Sequence, residues 1–219
     1  MSFKFIILGS GSSMGVPRID GFFGKCDPKN KKNHRTRCSA LISFNNFNIL
    51  IDTSPDIRSQ LLKNKVKSID AVLYSHPHAD QTHGINDLRP FFLLNKKKIP
   101  VFADRYTSKY LKNNFSYCFL KKSEYPPILE LNKITKVMNF KKRIKIKAIP
   151  VQHGSIKCLS FIINKKLAYA SDVNNIYKDD INKFKNLKYL VVDCLRFKKH
   201  PSHFNLEDII KLTDEIKPK

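Results

Sequence analysis

The chain has 219 residues, of which 42% are hydrophobic and 27% charged, and its formal net charge is +23. This length and composition exclude an intrinsically disordered chain, and no apolar run reaches the ~18 residues of a transmembrane helix. We therefore expect one globular domain over residues 1–219, located in the cytoplasm and without membrane attachment.

The positive charge by itself indicates an anionic partner. However, only 8 of the 41 basic residues are arginine, and arginine is the residue that recognises phosphates and bases with paired hydrogen bonds. We interpret the charge as a lysine-rich surface, so nucleic acid is an allowed partner but not the favoured one.

Apolar patterns predict strands and helices that alternate along the chain. Short apolar runs predict the following strands: Lys4–Leu8, Ala40–Phe44, Asn48–Asp52, Ala71–Tyr74, Pro100–Ala103, Ile144–Pro150, Leu159–Ile163, Lys166–Ala170 and Tyr189–Val192. Apolar residues at helical spacing predict the following helices: Ser54–Asn64, Ile85–Leu94, Thr107–Phe119 and Leu206–Ile216. This alternation predicts an α/β fold with two sheets covered by helices.

Several boundaries and loops are predicted from the residues that start or stop regular structure. Ser54 is expected to cap its helix, and Pro90 is expected to kink or break the helix in which it lies. The basic stretch Lys25–Arg37 and the proline-containing stretch Tyr125–Ile134 are predicted to be loops.

The five cysteines form no CxxC pair and are typical of reduced thiols. Cys26, His34 and Cys38 lie close together in the sequence and leave two interpretations open. They either hold a structural zinc ion or, as we favour, are thiols and a histidine of a loop and a strand.

A cluster of metal-ligand residues follows the predicted strand Ala71–Tyr74. His76 and His78 alternate in what we expect to be extended backbone, which puts both rings on one side, and Asp80 follows with the same spacing. Two imidazoles and a carboxylate suit zinc, manganese or iron. The alternative is a chance cluster of histidines.

Two more ligand-type residues follow predicted strands. His153 comes after Ile144–Pro150 and Asp172 after Lys166–Ala170, and open α/β sheets place their sites just beyond the carboxyl ends of strands. Taken singly, His153 is an ordinary turn histidine and Asp172 an ordinary helix cap. Together with the first cluster, they predict a metal site.

These motifs resemble those of the metallo-β-lactamase superfamily, specifically its PhnP-like phosphodiesterase branch and, more distantly, the tRNA 3′-processing nucleases. Further matching segments extend the resemblance over essentially the whole chain; they are Gly9–Ser13, Val16–Arg18, Arg35–Ser39, Leu50–Asp56 and Thr82–Arg89. The resemblance implies a single domain with the αββα sandwich fold and metal ions at one edge.

The resemblance also assigns roles to particular residues. It implies that the first metal ion, Zn²⁺ or Mn²⁺, is held by His76, His78 and His153. It implies that Asp172 bridges to a second ion that Asp80 and Gln81 help to hold. Asp80 is further expected to manage the proton of the attacking water, with Asp52 orienting a ligand imidazole. His203 matches a histidine beside the scissile phosphate, the alternative being an ordinary residue before a helix.

The sequence departs from the family pattern in two places. Position 81 usually carries histidine but is glutamine here, which offers only a neutral carbonyl oxygen; His83 is the less favoured replacement. We also expect the last strand of the family, and the histidine ligand near it, to be missing after Lys219. The first metal site is therefore expected to be firmly held and the second to be weakened.

The leading hypothesis is a metal-dependent hydrolase that acts on a small or cyclic phosphodiester. The alternatives are an RNA-processing nuclease of the same fold, a hydrolase of carbonyl esters or thioesters, and a truncated non-catalytic relative, because fold does not fix function. The resemblance also allows a homo-oligomer.

Overall fold

A computed structural model describes residues 3–121 and 125–219, which form two compact units. The first unit ends at Lys133 and the second begins at Ile134. The prediction of one domain over residues 1–219 stays a prediction. No helix among the described residues is long and apolar enough to span a membrane.

The first unit contains a six-stranded sheet whose strands follow one another in chain order. These strands are β1 Phe3–Gly9, β2 Ser39–Phe44, β3 Phe47–Ile51, β4 Ala71–Leu73, β5 Ile99–Ala103 and β6 Leu129–Lys133. Strands β1 to β3 pair antiparallel, and β3 to β6 pair parallel. Asn45 and Asn46 both adopt positive φ and form the two-residue turn between β2 and β3.

The helices of the first unit lie in the connections between the parallel strands. They are α1 Ile57–Lys63, α2 Ala79–Thr82, α3 Arg89–Asn95, α4 Arg105–Asn114 and α5 Ser116–Phe119, with a 3-10 turn at Ile85–Leu88. A further 3-10 turn, Lys31–Asn33, lies in the connection from β1 to β2. The central strand β4 is fully buried, because parallel strands are covered on both faces. This burial makes the end of β4 a rigid base for the residues that follow it.

The second unit contains a five-stranded sheet in the order β11-β10-β9-β8-β7. Its elements are β7 Val137–Phe140, β8 Ile144–His153, β9 Ile156–Ile163, β10 Leu167–Ala170, α6 Lys178–Ile181, β11 Tyr189–Val192 and α7 Leu206–Ile216. Because β9 is antiparallel to both β8 and β10, and β11 is parallel to β10, strands β8, β10 and β11 run in one direction. Their carboxyl ends therefore lie at one edge of this sheet.

The α/β class with two sheets is confirmed, and so are all nine predicted strands, within a few residues at their ends. The prediction of a loop over Tyr125–Ile134 holds up to Ile128 and is wrong from Leu129, where β6 pairs with β5; β7 was not predicted. Both missed strands are short and lie at sheet edges, where half-exposed sequences carry a weak apolar pattern.

The predicted helices differ from the observed ones mainly at their ends. The first helix begins at Ile57 with Asp56 as its cap, whereas Ser54 Oγ accepts from the Asp56 amide. The second is broken at the expected place: a 3-10 turn precedes α3, and Pro90 lies in the first turn of α3, where its missing N–H costs nothing. The helix predicted at Thr107–Phe119 is divided at Phe115, and α7 has the predicted bounds.

Candidate functional site

His76 and His78 follow β4, and His78, the residue before α2, has extended backbone. Tyr74 N donates to Phe102 O of β5, which continues the sheet beyond β4, and the chain then leaves the sheet. His76 is fully buried and His78 exposed. His76 Nε2 lies 3.0 Å from His78 Nδ1. This separation is close to the ~3.3 Å expected for two imidazole nitrogens on one tetrahedral zinc ion.

A buried carboxylate fixes the orientation of the His76 ring. Asp52 is fully buried, and it accepts hydrogen bonds from Ser75 N at 2.7 Å and Ser75 Oγ at 2.8 Å. Because the Ser75 hydroxyl donates its one proton to Asp52, it accepts from His76 Nδ1, 3.0 Å away. His76 Nε2 is then the nitrogen with the lone pair, as a metal ligand requires. Asp52 thus acts on His76 through Ser75.

The backbone changes direction at Asp80. The expected extended spacing ends at His78, since Asp80 lies in the first turn of α2. Gln81 is fully buried, and its Nε2 donates to Asp80 Oδ2 at 3.2 Å. The turn is held by Thr53 N, which donates to Gln81 O at 2.7 Å. In this geometry the Gln81 side chain orients the Asp80 carboxylate.

His83 is placed apart from these residues. Its Nδ1 lies 3.1 Å from Thr82 Oγ1, and its ring packs edge-on against Phe115 with centroids 5.3 Å apart. It belongs to no group of three metal-ligand side chains found among the described residues. The structure therefore gives no support to His83 as a replacement for a ligand at position 81.

The second unit brings together His153, Asp172 and His203, whose potential ligand atoms all lie within 4.8 Å of one another. His153 is the last residue of β8 and Asp172 lies two residues beyond β10, so both lie at the shared carboxyl edge of this sheet. His203 comes from the loop before α7. His153 and Asp172 are buried, whereas 18% of the His203 side chain is exposed.

Each histidine of this cluster is oriented through its Nδ1 atom. His153 Nδ1 lies 2.7 Å from Ser202 O, and since a carbonyl only accepts, Nδ1 donates and Nε2 keeps the lone pair. Gly154, at φ 58°, makes the turn after β8 and allows Ser202 to approach closely. His203 Nδ1 is hydrogen-bonded to Asp193 Oδ2, which fixes the orientation of the His203 ring.

Asp193 was not predicted, although it obeys the rule that found His153 and Asp172. It directly follows β11, whose carboxyl end lies at the same sheet edge. Burial raises the pKa of Asp193; its hydrogen bond from His203 opposes that shift, and the negative charge of Asp172 adds to it. The residue is thus a buried carboxylate that needs the His203 proton as its partner.

The structural zinc interpretation for Cys26, His34 and Cys38 gains no support. These residues form no ligand group among the described residues, and all five cysteines lack a disulfide. Cys38 Sγ donates to Gly11 O, and the His34 ring packs edge-on against Phe23.

Comparison with known proteins places the chain among metallo-hydrolases. Residues 47–219 match the family model described as the β-lactamase superfamily domain. A crystal structure of a diphosphatase from the PhnP family has 30% sequence identity and a TM-score of 0.88, and the match covers 100% of this chain and 84% of that one.

Two further matches differ in what they cover. An octanoyltransferase from Porphyromonas gingivalis is 32% identical over 97% of this chain, which spans only 44% of the length of that curated relative. Zn²⁺-bound PqqB from Methylobacterium extorquens has 16% identity and a TM-score of 0.72 over 96% of this chain and 76% of that one. The latter similarity concerns the fold alone.

Proposed function

The chain belongs to the family described as the β-lactamase superfamily domain and is a hydrolase of the metallo-β-lactamase fold, and on this premise we propose that it cleaves phosphodiesters with the help of bound metal. The observation that carries the proposal is the presence of two clusters of ligand-type side chains with preset imidazole orientations. The similarity to a PhnP-family diphosphatase supports phosphorus rather than carbon as the reacting centre.

The donor set fits a transition-metal ion. His76 and His153 each have Nδ1 engaged in a hydrogen bond that leaves Nε2 as the donor atom, and oriented imidazoles of this kind are typical metal ligands. The carboxylates Asp80 and Asp172 add the oxygen donors that zinc and manganese accept.

In this proposal His76, His78 and His153 are ligands of the first ion, which is Zn²⁺ or Mn²⁺. Asp172, Asp80 and Gln81 are ligands of a second, more weakly held ion. A metal bound by such residues supplies a Lewis acid and lowers the pKa of water to near neutrality.

Two side chains of the protein then handle the protons. Water attacks phosphorus, Asp80 accepts the proton that this water loses, and the bond from phosphorus to the leaving oxygen breaks. His203 donates a proton from Nε2 to that oxygen, so the products are an alcohol and a phosphate monoester. Asp193 accepts a hydrogen bond from His203 Nδ1 and stabilises the protonated ring by its negative charge.

The first experiment compares two histidine variants of neighbouring positions. His76→Ala removes a proposed ligand, whereas His83→Ala removes an exposed histidine outside the ligand groups found among the described residues. Bound metal is measured by elemental analysis, and hydrolysis is measured on bis(p-nitrophenyl) phosphate with added Zn²⁺ or Mn²⁺. We expect His76→Ala to lose at least one equivalent of metal and nearly all activity, and His83→Ala to retain both.

The opposite result is equally clear. If His76→Ala retains metal-dependent turnover, the proposed mechanism is wrong. If the unaltered protein binds no metal even when Zn²⁺ and Mn²⁺ are supplied, the protein is a non-catalytic relative of the fold.

A second candidate function is the hydrolysis of a medium-chain thioester. It is favoured by the 32% identity to a protein named as an octanoyltransferase, although that name belongs to a chain more than twice the length of the matched part. An octanoyl thioester offered in the same assay separates the two candidates, because a thioesterase releases free thiol and leaves the diester intact.

A further inference from the structure

The first unit contains a large open groove of about 1140 Å³. It is bordered by β1, by the long loop that follows β1, and by α1. This loop contains the basic stretch Lys25–Arg37. None of its residues has a role in the proposed chemistry. The groove is larger than the ~300–1,000 Å³ of typical small-molecule sites, which indicates an extended ligand.

The groove is strongly positive. Its cationic residues are Lys31, Lys32, Arg35, Arg37 and Lys63. Among the described residues that line it, Asp56 is the one carboxylate, and Arg37 engages it by Nε at 2.9 Å and Nη2 at 2.8 Å. No ion pair among the described residues neutralises the other four cations. The groove therefore has four uncompensated positive charges.

Apolar side chains are exposed in the same groove. Ile7 is 49% exposed, Met14 61% and Ile19 fully exposed. Exposed apolar side chains in a positively charged groove offer contacts to the apolar faces of bases or sugars, which a purely charged surface does not. An inorganic anion, in contrast, would contact only the cationic side chains.

Arg37 connects the groove electrostatically to the metal motif. The pKa of its guanidinium is raised, first by the hydrogen bonds to Asp56 and in smaller part by the negative charges of Asp56 and Asp80. Asp80 is thus near enough for its charge to be felt at the wall of the groove.

We propose that this groove binds single-stranded nucleic acid, so that the phosphodiester cleaved by the protein belongs to an oligonucleotide. This inference rests on the proposed function and names its substrate class. Backbone phosphates pair with Lys31, Lys32 and Arg35, and unstacked bases or sugars pack on Ile7, Met14 and Ile19. A duplex fits less well, because its bases are stacked on one another and present no free faces to these side chains.

The test uses two variants with the same change of charge. The groove variant is Lys31→Glu/Lys32→Glu/Arg35→Glu. The control is Lys97→Glu/Lys98→Glu/Arg105→Glu, which also replaces two exposed lysines and one exposed arginine of the first unit, outside the groove. Binding of a fluorescein-labelled twelve-nucleotide oligo(U) to the metal-depleted protein is followed by fluorescence anisotropy over a range of salt concentrations.

We expect the groove variant to bind at least about 30-fold more weakly and the control no more than about threefold more weakly. Loss of three phosphate contacts should also reduce the slope of log affinity against log salt by about 2. Thermal unfolding checks that both variants fold. If the groove variant does not, the milder Lys31→Gln/Lys32→Gln/Arg35→Gln replaces it, and we expect about half the change in log affinity.

Two results would overturn the inference: equal weakening in the groove and control variants, or binding of inorganic polyphosphate of matched charge as tight as that of the oligonucleotide. Hydrolysis of the small diester by the unaltered protein reports separately on the proposed function. If that hydrolysis is absent while groove-dependent binding persists, the proposed function fails and the nucleic-acid site stands. If hydrolysis is present while charge reversal in the groove has no effect, the inference alone fails.

Discussion

The ligand cluster of the first unit comes from one short segment, whereas that of the second unit comes from three distant parts of the chain. His76, His78 and Asp80 lie within a span of five residues that follows β4. His153 and His203 are 50 positions apart and meet because strands end at one sheet edge and the loop before α7 returns to it. Local backbone geometry builds the first cluster, and sheet topology builds the second.

The two clusters also differ in what orients their imidazoles. His76 depends on a chain of side chains, from Asp52 through the Ser75 hydroxyl. His153 depends on the backbone carbonyl of Ser202, which no substitution removes. The first cluster is therefore sensitive to side-chain changes at Asp52 and Ser75, whereas in the second cluster Asp193 is the side chain that orients His203.

Among variants that leave the proposed metal ligands in place, the largest effect is expected for His203→Ala. This variant tests whether His203 is a proton donor rather than a third ligand beside His153 and Asp172. General acid catalysis contributes about 10²–10⁴-fold. We expect a loss of that size in kcat for a diester with an alkyl leaving group, and a much smaller loss for p-nitrophenolate, which leaves without a proton.

Metal content separates the two roles of His203. Elemental analysis should find the same metal in His203→Ala as in the unaltered protein. An equal loss on both substrates together with lost metal would show that His203 is a ligand. Asp193→Asn provides the matched intermediate case, with a smaller loss in kcat and the same dependence on the leaving group.

The next largest effect is expected for Asp52→Ala, which removes the carboxylate that orients the His76 ring through the Ser75 hydroxyl. Loss of such an outer partner typically lowers metal affinity about 10–100-fold. It also leaves the Ser75 amide, at a fully buried position, without its acceptor, which costs about 1–3 kcal/mol of the free energy of unfolding. Chelator competition measures the first quantity and urea denaturation the second.

Asp214→Ala, at an exposed position of α7, is the control for Asp52→Ala. It should change neither quantity. Normal metal affinity in Asp52→Ala would mean that His76 is oriented by its packing alone, and the contrast between the two clusters would disappear.

The same contrast explains what the sequence could predict. The proximity of the His76 and His78 rings was predictable because residues two apart in extended backbone lie on one side. The register between Asp52 and Ser75 requires β3 and β4 to pair in parallel, which no local pattern specifies. Asp193 could be identified only with knowledge of which strands run in one direction, because a single aspartate after an apolar run is otherwise an ordinary surface residue.

Secondary-structure elements were predictable where their signals are local in the sequence. The apolar runs on either side of Asn45-Asn46 and the apolar spacing of α7 are local signals, and the strands and the helix that they predict are confirmed. Strand β6 follows two prolines and has one fully buried leucine, Leu129, so its sequence resembles a loop. It is a strand because it pairs with β5 at the edge of the sheet, and this tertiary contact is not visible in the local sequence.

A stability measurement compares the carboxylates of the two units. Arg37 lowers the pKa of Asp56, opposite in direction to the shift that burial imposes on Asp193. A lowered pKa means that Asp56 stabilises the fold at pH values above its unfolded pKa of about 3.9. That contribution is lost as the pH falls through the lower folded value.

Asp56→Asn should therefore lower the free energy of unfolding by about 1 kcal/mol at pH 7, a modest amount because solvent partly screens this pair. The difference from the unaltered protein should shrink as the pH falls below the unfolded pKa and disappear once Asp56 is protonated in the folded protein as well. Urea denaturation from pH 7 to pH 2.5 measures it. A difference that stays constant over this range would assign the loss to packing rather than to charge.

The smallest effect is expected for Gln81→His, which sharpens the comparison inside the first cluster. Gln81 donates to Asp80 and offers only a neutral oxygen to a metal, whereas imidazole is a stronger donor to zinc. We expect Gln81→His to tighten binding of the second equivalent of Zn²⁺ by less than about tenfold, because the gain in donor strength is offset by loss of the hydrogen bond that holds Asp80.

Isothermal titration with Zn²⁺ resolves the second equivalent, and Gln81→Glu, a charged side chain of nearly the same shape, is the comparison variant. If Gln81→His binds the second equivalent no more tightly while Gln81→Glu does, charge rather than donor type limits the second ion. If neither variant changes it, position 81 orients Asp80 and is no ligand.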